Sequence, residues 1–97
     1  MAYEIILAPE AVEDLQRLPV RERSMVRDAI ERHLRHEPEK VSQSSIKRLR
    51  EIDRPQYRLR VSEIRVFYDV SEGTVEILAL VPKSEPSQWL DQFGGAP

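Results

Sequence analysis

With 97 residues, 40% of them hydrophobic and 33% charged, the chain reads as one globular domain with a modest core. It has no cysteine, which excludes disulfides and thiolate metal sites. Its apolar runs are short, the longest being of the kind seen at Val75 to Val81, so neither a membrane span nor a secretory signal is predicted. A cytoplasmic protein without membrane association is expected. The net charge of −2 hides a partition. Residues 46–65 carry seven Lys/Arg against three Asp/Glu, whereas residues 66–97 carry one against five. A phosphate-bearing partner responds to that local basic block, not to the average.

In chain order, Ala2 to Leu7 predicts a short strand with Tyr3, Ile5 and Leu7 on one face. Pro9 suits the first turn of a helix, and Glu10, Glu13 and Asp14 complement the dipole there. Ala11, Leu15 and Leu18 form its apolar stripe, and Pro19 ends it. A second helix is predicted from about Val20 to His36, with Val26, Ala29, Ile30 and Leu34 as its buried face, joined by Met25 and His33. Pro38 stops it, and the two helices are expected to form an antiparallel hairpin. Glu39 to Ser45 is a polar loop, Ile46 to Glu51 a short strand, and Asp53-Arg54-Pro55 a turn.

Tyr57 to Val70, YRLRVSEIRVFYDV, carries the clearest pattern, alternating with period two on both sides of Ser62-Glu63. Tyr57, Leu59, Val61, Ile64, Val66, Tyr68 and Val70 share the buried face. If Ser62-Glu63 is the hairpin loop, Val61 pairs with Ile64, Arg60 with Arg65 and Arg58 with Phe67. Three guanidiniums then converge on the outward face beside an exposed Phe67. Like charges directly opposite each other are destabilising, so such a face is either well solvated or built for an anion. Ser71 to Thr74 is the next hairpin loop, pairing Val70 with Val75, Tyr68 with Ile77 and Val66 with Ala79. Leu78 and Leu80 are then the outward neighbours of Phe67 and Arg65. Ser84 and Pro86 open a closing helix with Trp89, Leu90 and Phe93 as contact residues, ended by Gly94-Gly95.

The expected architecture is α+β: an N-terminal strand and helical hairpin packed on a small, mostly antiparallel sheet, with a short C-terminal helix. The domain should span residues 1–93, with 94–97 as a tail. Glycine-rich phosphate loops and Ser/His/Asp signatures are absent. His33 and His36, three apart on a polar helix end, read as solvated surface residues; no metal site is assigned. The basic cluster Lys47, Arg48, Arg50, Arg54, Arg58, Arg60 and Arg65 reads instead as a phosphate-binding surface, with Phe67 and Trp89 as neighbouring aromatic groups.

These residues carry a resemblance. The central YRLRVSEIRVFYDV, preceded by KRLRE and by the opening LAPEAVEDLQRLP, resembles the RelE/ParE superfamily of type II toxin–antitoxin toxins, over about Tyr3 to Leu90. The resemblance implies a compact toxin neutralised by a cognate antitoxin, and one of two targets. RelE-like members cut mRNA on the ribosome, and ParE-like members inhibit DNA gyrase without being nucleases. Under the RelE reading, Arg58, Arg60 and Arg65 match the basic residues that stabilise charge as a ribose 2′-OH attacks the adjacent phosphate. No cofactor is implied. The C-terminal part departs from the pattern: Ser84 stands where RelE-like enzymes have a further arginine, with Lys83 beside it as the substitute candidate. Leu90 stands near the expected tyrosine, beside Trp89. These departures keep a third reading open, a catalytically degenerate member that serves as a binding module for antitoxin or RNA.

Overall fold

The computed structural model describes residues 2–42, 45–49 and 54–82. Their order is β1 (Glu4–Leu7), α1 (Pro9–Arg17), α2 (Val20–Leu34), β2 (Ile46–Arg48), β3 (Tyr57–Val61), β4 (Ile64–Ser71) and β5 (Thr74–Pro82). The expected C-terminal helix falls outside the described residues. One five-stranded sheet has the order β1-β5-β4-β3-β2. Three of its pairings are antiparallel, whereas β1 lies parallel to β5 at one edge. Both helices lie on one face, α1 against β5 and β1, α2 against β3.

Prolines punctuate the helical segment as their chemistry requires. Pro9 occupies the first turn of α1, and Ala8 and Leu18, each preceding a proline, are extended. That extension ends α1, and the Arg23 guanidinium closes the end by donating to the Leu18 carbonyl at 3.1 Å. The second helix ends at Leu34, two residues short of the expected His36. Arg35 follows it and donates from its side chain to the Tyr3 carbonyl, while the Tyr3 N–H donates to the Arg35 carbonyl. This reciprocal pair fixes the end of α2 to the entry of β1.

The core is the sheet face read from the sequence. Leu59, Val66, Tyr68, Val75 and Ile77 are fully buried against Ala11 and Leu15 of α1 and Val26, Ile30 and Leu34 of α2. Tyr3, Ile5 and Leu7 pack at its margin, whereas Met25 is exposed. The Tyr68 hydroxyl satisfies itself inside this core by donating to the Pro38 carbonyl at 2.6 Å. Tyr57 stacks on Tyr68, ring centroids 5.4 Å apart.

The β3–β4 register is the expected one: Val61 opposite Ile64, Arg60 opposite Arg65, Arg58 opposite Phe67. Its turn holds Ser62 at φ 54, a left-handed conformation that an L-residue adopts at a cost of about 1–2 kcal/mol. The β4–β5 register agrees from Val70–Val75 to Tyr68–Ile77, then departs. A bulge between Phe67 and Tyr68 puts Phe67 opposite Ala79, Val66 opposite Leu80 and Arg65 opposite Val81. The expected pairings of Val66 with Ala79, Phe67 with Leu78 and Arg65 with Leu80 are therefore displaced by one residue. Leu80 turns into the helix-covered core, and Ala79 and Val81 turn outward.

The bulge lies where β1 ends. Beyond Ile77 no strand among the described residues pairs with this edge of β5, and the Leu80 N–H donates to the Asp14 carboxylate of α1 at 3.0 Å. A side chain thus satisfies a backbone donor of the strand. Burial raises the Asp14 carboxyl above its ordinary value, opposed by the Leu80 hydrogen bond. The folded chain therefore holds that proton more tightly than the unfolded chain. The resulting stability is complete below the unfolded-state value and is lost as pH rises through the raised folded value. Asp14→Ala should cost about 1–2 kcal/mol in urea denaturation, by orphaning the Leu80 N–H. Asp14→Asn keeps an acceptor and never ionises, so its stability relative to the parent should improve from about pH 4 to pH 7.

Candidate functional site

Strand alternation decides which cations share a face. Arg58 and Arg60 leave β3, and Arg65 leaves β4, on the side opposite the helices. Lys47 of β2 pairs with Arg58 and joins them, exposed at the sheet edge. Arg60 is exposed and Arg58 half-buried, but Arg65 is only 8% exposed. The expectation that Arg65 stands open to solvent is thus corrected.

Phe67 is corrected in the same way. It is 1% exposed and forms a second apolar cluster with Ala79 and Val81, against which Leu49 packs. The bulge supplies two of these neighbours, since it brings Ala79 and Val81 to the outward side of β5. Phe67 is therefore a floor beside the arginines and not an exposed platform for a base.

The electrostatics of this floor are unusual. Among the described residues, Arg65 Nη1 and Arg58 Nε are buried N–H groups with no hydrogen-bond partner, as is Arg23 Nε on α2, away from this face. A buried polar group left unpaired costs about 1–3 kcal/mol, and more when charged. Burial chiefly, then Arg65 and Arg60, lowers the Arg58 guanidinium from its ordinary value. An arginine starts so far above neutrality that it remains a cation. Two buried, donor-rich guanidiniums beside a third, exposed one present N–H groups of the kind that an oxyanion accepts from.

The other sequence candidates are dispersed. Arg48 falls on the helix side of the sheet by parity, its guanidinium 5.1 Å from the Tyr57 ring centroid and donating to the Gln56 carbonyl. Arg54 is exposed but engaged by Asp69 at 2.6 Å and Glu76 at 3.2 Å, so its charge is compensated locally. The same Asp69 accepts from the Gln56 N–H, and the Gln56 side chain accepts from the Val70 N–H. The outward face therefore runs from cationic at the β3–β4 turn to acidic and cross-linked near the β4–β5 turn. Arg50, Lys83 and Trp89 lie outside the described residues. Among the described residues no three His, Asp or Glu side chains gather as a metal site.

Sequence reasoning placed Arg48 and Arg54 with the cluster because they are near it in the chain. The signal that separates Arg48 was available: Ile46 inward makes Lys47 outward, Arg48 inward and Leu49 outward. The bulge too had a trace, the unbroken apolar run Ile77 to Val81, which strict alternation does not accommodate.

Arg65→Met keeps the length of the side chain and removes the unpaired charge. It should raise the unfolding temperature in an anion-free buffer, since replacing a buried unpaired charge by an apolar group is stabilising. Added inorganic phosphate should raise the unfolding temperature of the parent, by mass action, and leave the variant almost unmoved. Differential scanning fluorimetry reads both effects.

No protein-family model and no curated protein sequence matches the chain, but solved structures do. A chain of the archaeal RelE–RelB complex from Pyrococcus horikoshii superposes with a TM-score of 0.65 at 27% identity, over 86% of this chain and 97% of that one. A chain of the toxin–antitoxin complex RelBE2 from Mycobacterium tuberculosis gives 0.68 at 25% identity, over 84% and 99%. A mutant Escherichia coli RelE in the free state shares the fold, with a TM-score of 0.58 at 20% identity over 94% and 93%. Near-complete coverage in both directions, together with helices on one face of this sheet, shows that the chain has the fold of RelE toxins.

Proposed function

We propose that this protein is the toxin of a type II toxin–antitoxin system and acts as a RelE-like, ribosome-dependent mRNA endonuclease. The observation that carries the reading is the pair of buried, unpartnered guanidinium N–H groups of Arg58 and Arg65 beside exposed Arg60. In the reaction, a ribose 2′-oxygen forms a bond to the adjacent phosphorus and the bond to the following 5′-oxygen breaks. Negative charge grows on the non-bridging oxygens, and the arginine N–H groups stabilise it where it develops. Fixed guanidiniums in a water-poor floor suit that role, because they need no reorganisation as the charge appears.

The same arginines are not the proton acceptor for the 2′-OH, since they remain protonated. Nor is Tyr68, whose hydroxyl is buried on the other face, donates to Pro38, and is pushed further above its ordinary value by burial. Lys83 remains the proposed partner for that step, acting as a neutral amine that takes the 2′-OH proton and returns it to the leaving 5′-oxygen. The protein's own partner is proposed to be a cognate antitoxin, since the archaeal and mycobacterial neighbours are toxin–antitoxin complexes. Among the described residues no helix is long and apolar enough to cross a membrane, and action in the cytoplasm is part of the proposal.

One observation favours a second reading, a ParE-like gyrase inhibitor that cleaves nothing. Ser84 and Leu90 stand where RelE-like nucleases carry an arginine and a tyrosine. Controlled expression separates the two. On the nuclease reading, expression arrests growth, the adjacent small reading frame rescues it, and primer extension finds codon-positioned cuts in translated mRNA. Arg60→Ala, at an exposed position, should fold normally and lose about 10²-fold or more in cutting. An SOS response with stalled gyrase and intact mRNA selects the second reading. Growth without arrest contradicts both.

A further inference from the structure

A second feature lies on the other side of the β2 edge. The end of α2 and the loop after it enclose a cleft of about 310 Å³, lined by Arg32, His33, His36, Lys40, Ser42 and Ser45. Its chemistry is one-sided. Arg32 and Lys40 offer only donors, and the one carboxylate in the lining, Glu37, already faces Lys40 at 3.8 Å. Ser42 is pinned to the start of β2: its N–H donates to the Ile46 carbonyl, and its Oγ accepts the N–H groups of Ser45 and Ile46 at 3.1 and 3.3 Å. Having accepted twice, that hydroxyl retains its proton as the group left to offer. The cleft therefore suits a ligand made of acceptor oxygens.

It is also joined to the arginine face. The Arg60 N–H donates to the carbonyl of Ser45, a wall residue of the cleft, at 2.8 Å. Lys47, two residues on, stands outward opposite Arg58. A cationic path thus runs from Arg58 and Arg60, over Lys47 at the sheet edge, into the cleft. The acidic cross-link of Asp69, Arg54 and Glu76 lies further along the outward face and leaves this direction open.

We propose that this cleft holds the phosphate of a nucleotide flanking the one at the arginine face, so that single-stranded RNA wraps the β2 edge. The proposal rests on the RNA-cleaving reading above and adds a second contact that sets how the strand is threaded. A backbone phosphate carries no sequence information, so the cleft contributes affinity and register, not base choice.

The test uses the full chain and 2′-O-methyl RNA, which binds but cannot be cut, in oligomers of about three and about twelve nucleotides. Fluorescence anisotropy is recorded for the parent, Arg60→Gln and the double variant Arg32→Gln/Lys40→Gln. All three changed residues are exposed, and circular dichroism confirms that the variants fold. The double variant should lose roughly five- to tenfold affinity for the long oligomer, with its salt slope reduced by about 0.7 per lost contact, and nothing for the short one. Arg60→Gln should weaken both lengths. If the double variant binds the long oligomer like the parent while Arg60→Gln does not, the cleft proposal is overturned and the RNA reading stands. Equal weakening of both lengths by the double variant also overturns it, as a general charge effect. A parent that binds neither oligomer overturns the cleft proposal, and the cutting of translated mRNA described above then decides the RNA reading separately.

Discussion

The β3–β4 register is the constraint on which the rest depends. With Val61 opposite Ile64, every apolar side chain of the hairpin except Phe67 faces the helices, and Arg58, Arg60 and Arg65 share the other side with Phe67. A slip of one residue would exchange the two faces and bury three guanidiniums in the core. The register is held by the Tyr57–Tyr68 stack and the Tyr68–Pro38 hydrogen bond within the core. It is maintained although the turn keeps Ser62 left-handed and sets Arg60 against Arg65. Strain and like-charge pairing are thus gathered in one hairpin.

The bulge converts that hairpin from a charged surface into a site. By turning Ala79 and Val81 outward it builds an apolar floor with Phe67, and Arg65 sinks into that floor. An exposed arginine is screened by water and contributes little field, whereas a sunken one acts through a lower dielectric. The cost is a buried N–H without a partner, a loss of stability of the kind active sites commonly carry. Asp14 belongs to the same arrangement, because it satisfies the β5 backbone where the strand departs from regular pairing.

Much of this was legible in the sequence because period-two alternation is a local signal. Tyr57 to Val70 announced both strands, their faces and their register, and Pro9 and Pro19 announced the ends of α1. The departures have physical reasons. Parallel pairing of β1 with β5 is set by tertiary contact, which alternation within Glu4 to Leu7 does not encode. The apolar neighbours of Phe67 depend on a one-residue bulge on a neighbouring strand, and periodicity within β4 carries no trace of it. Arg48 and Arg54 were grouped by proximity in the chain, but parity sends the first to the helix side and Asp69 and Glu76 engage the second. The paired orphan N–H groups could be found only with the backbone in place.

The central claim is that Arg58, Arg60 and Arg65 act together as one oxyanion site. It is tested most directly by nuclear magnetic resonance of the arginine Nε–Hε groups during titration with a 2′-O-methyl dinucleotide. The account predicts that the three side-chain signals shift together with one dissociation constant and that their hydrogen exchange slows. The arginines on the exposed side of α2, Arg21 and Arg27, should stay unchanged. Silence at Arg58 and Arg65, with shifts at Arg21, Arg27 or Arg48 instead, would contradict it.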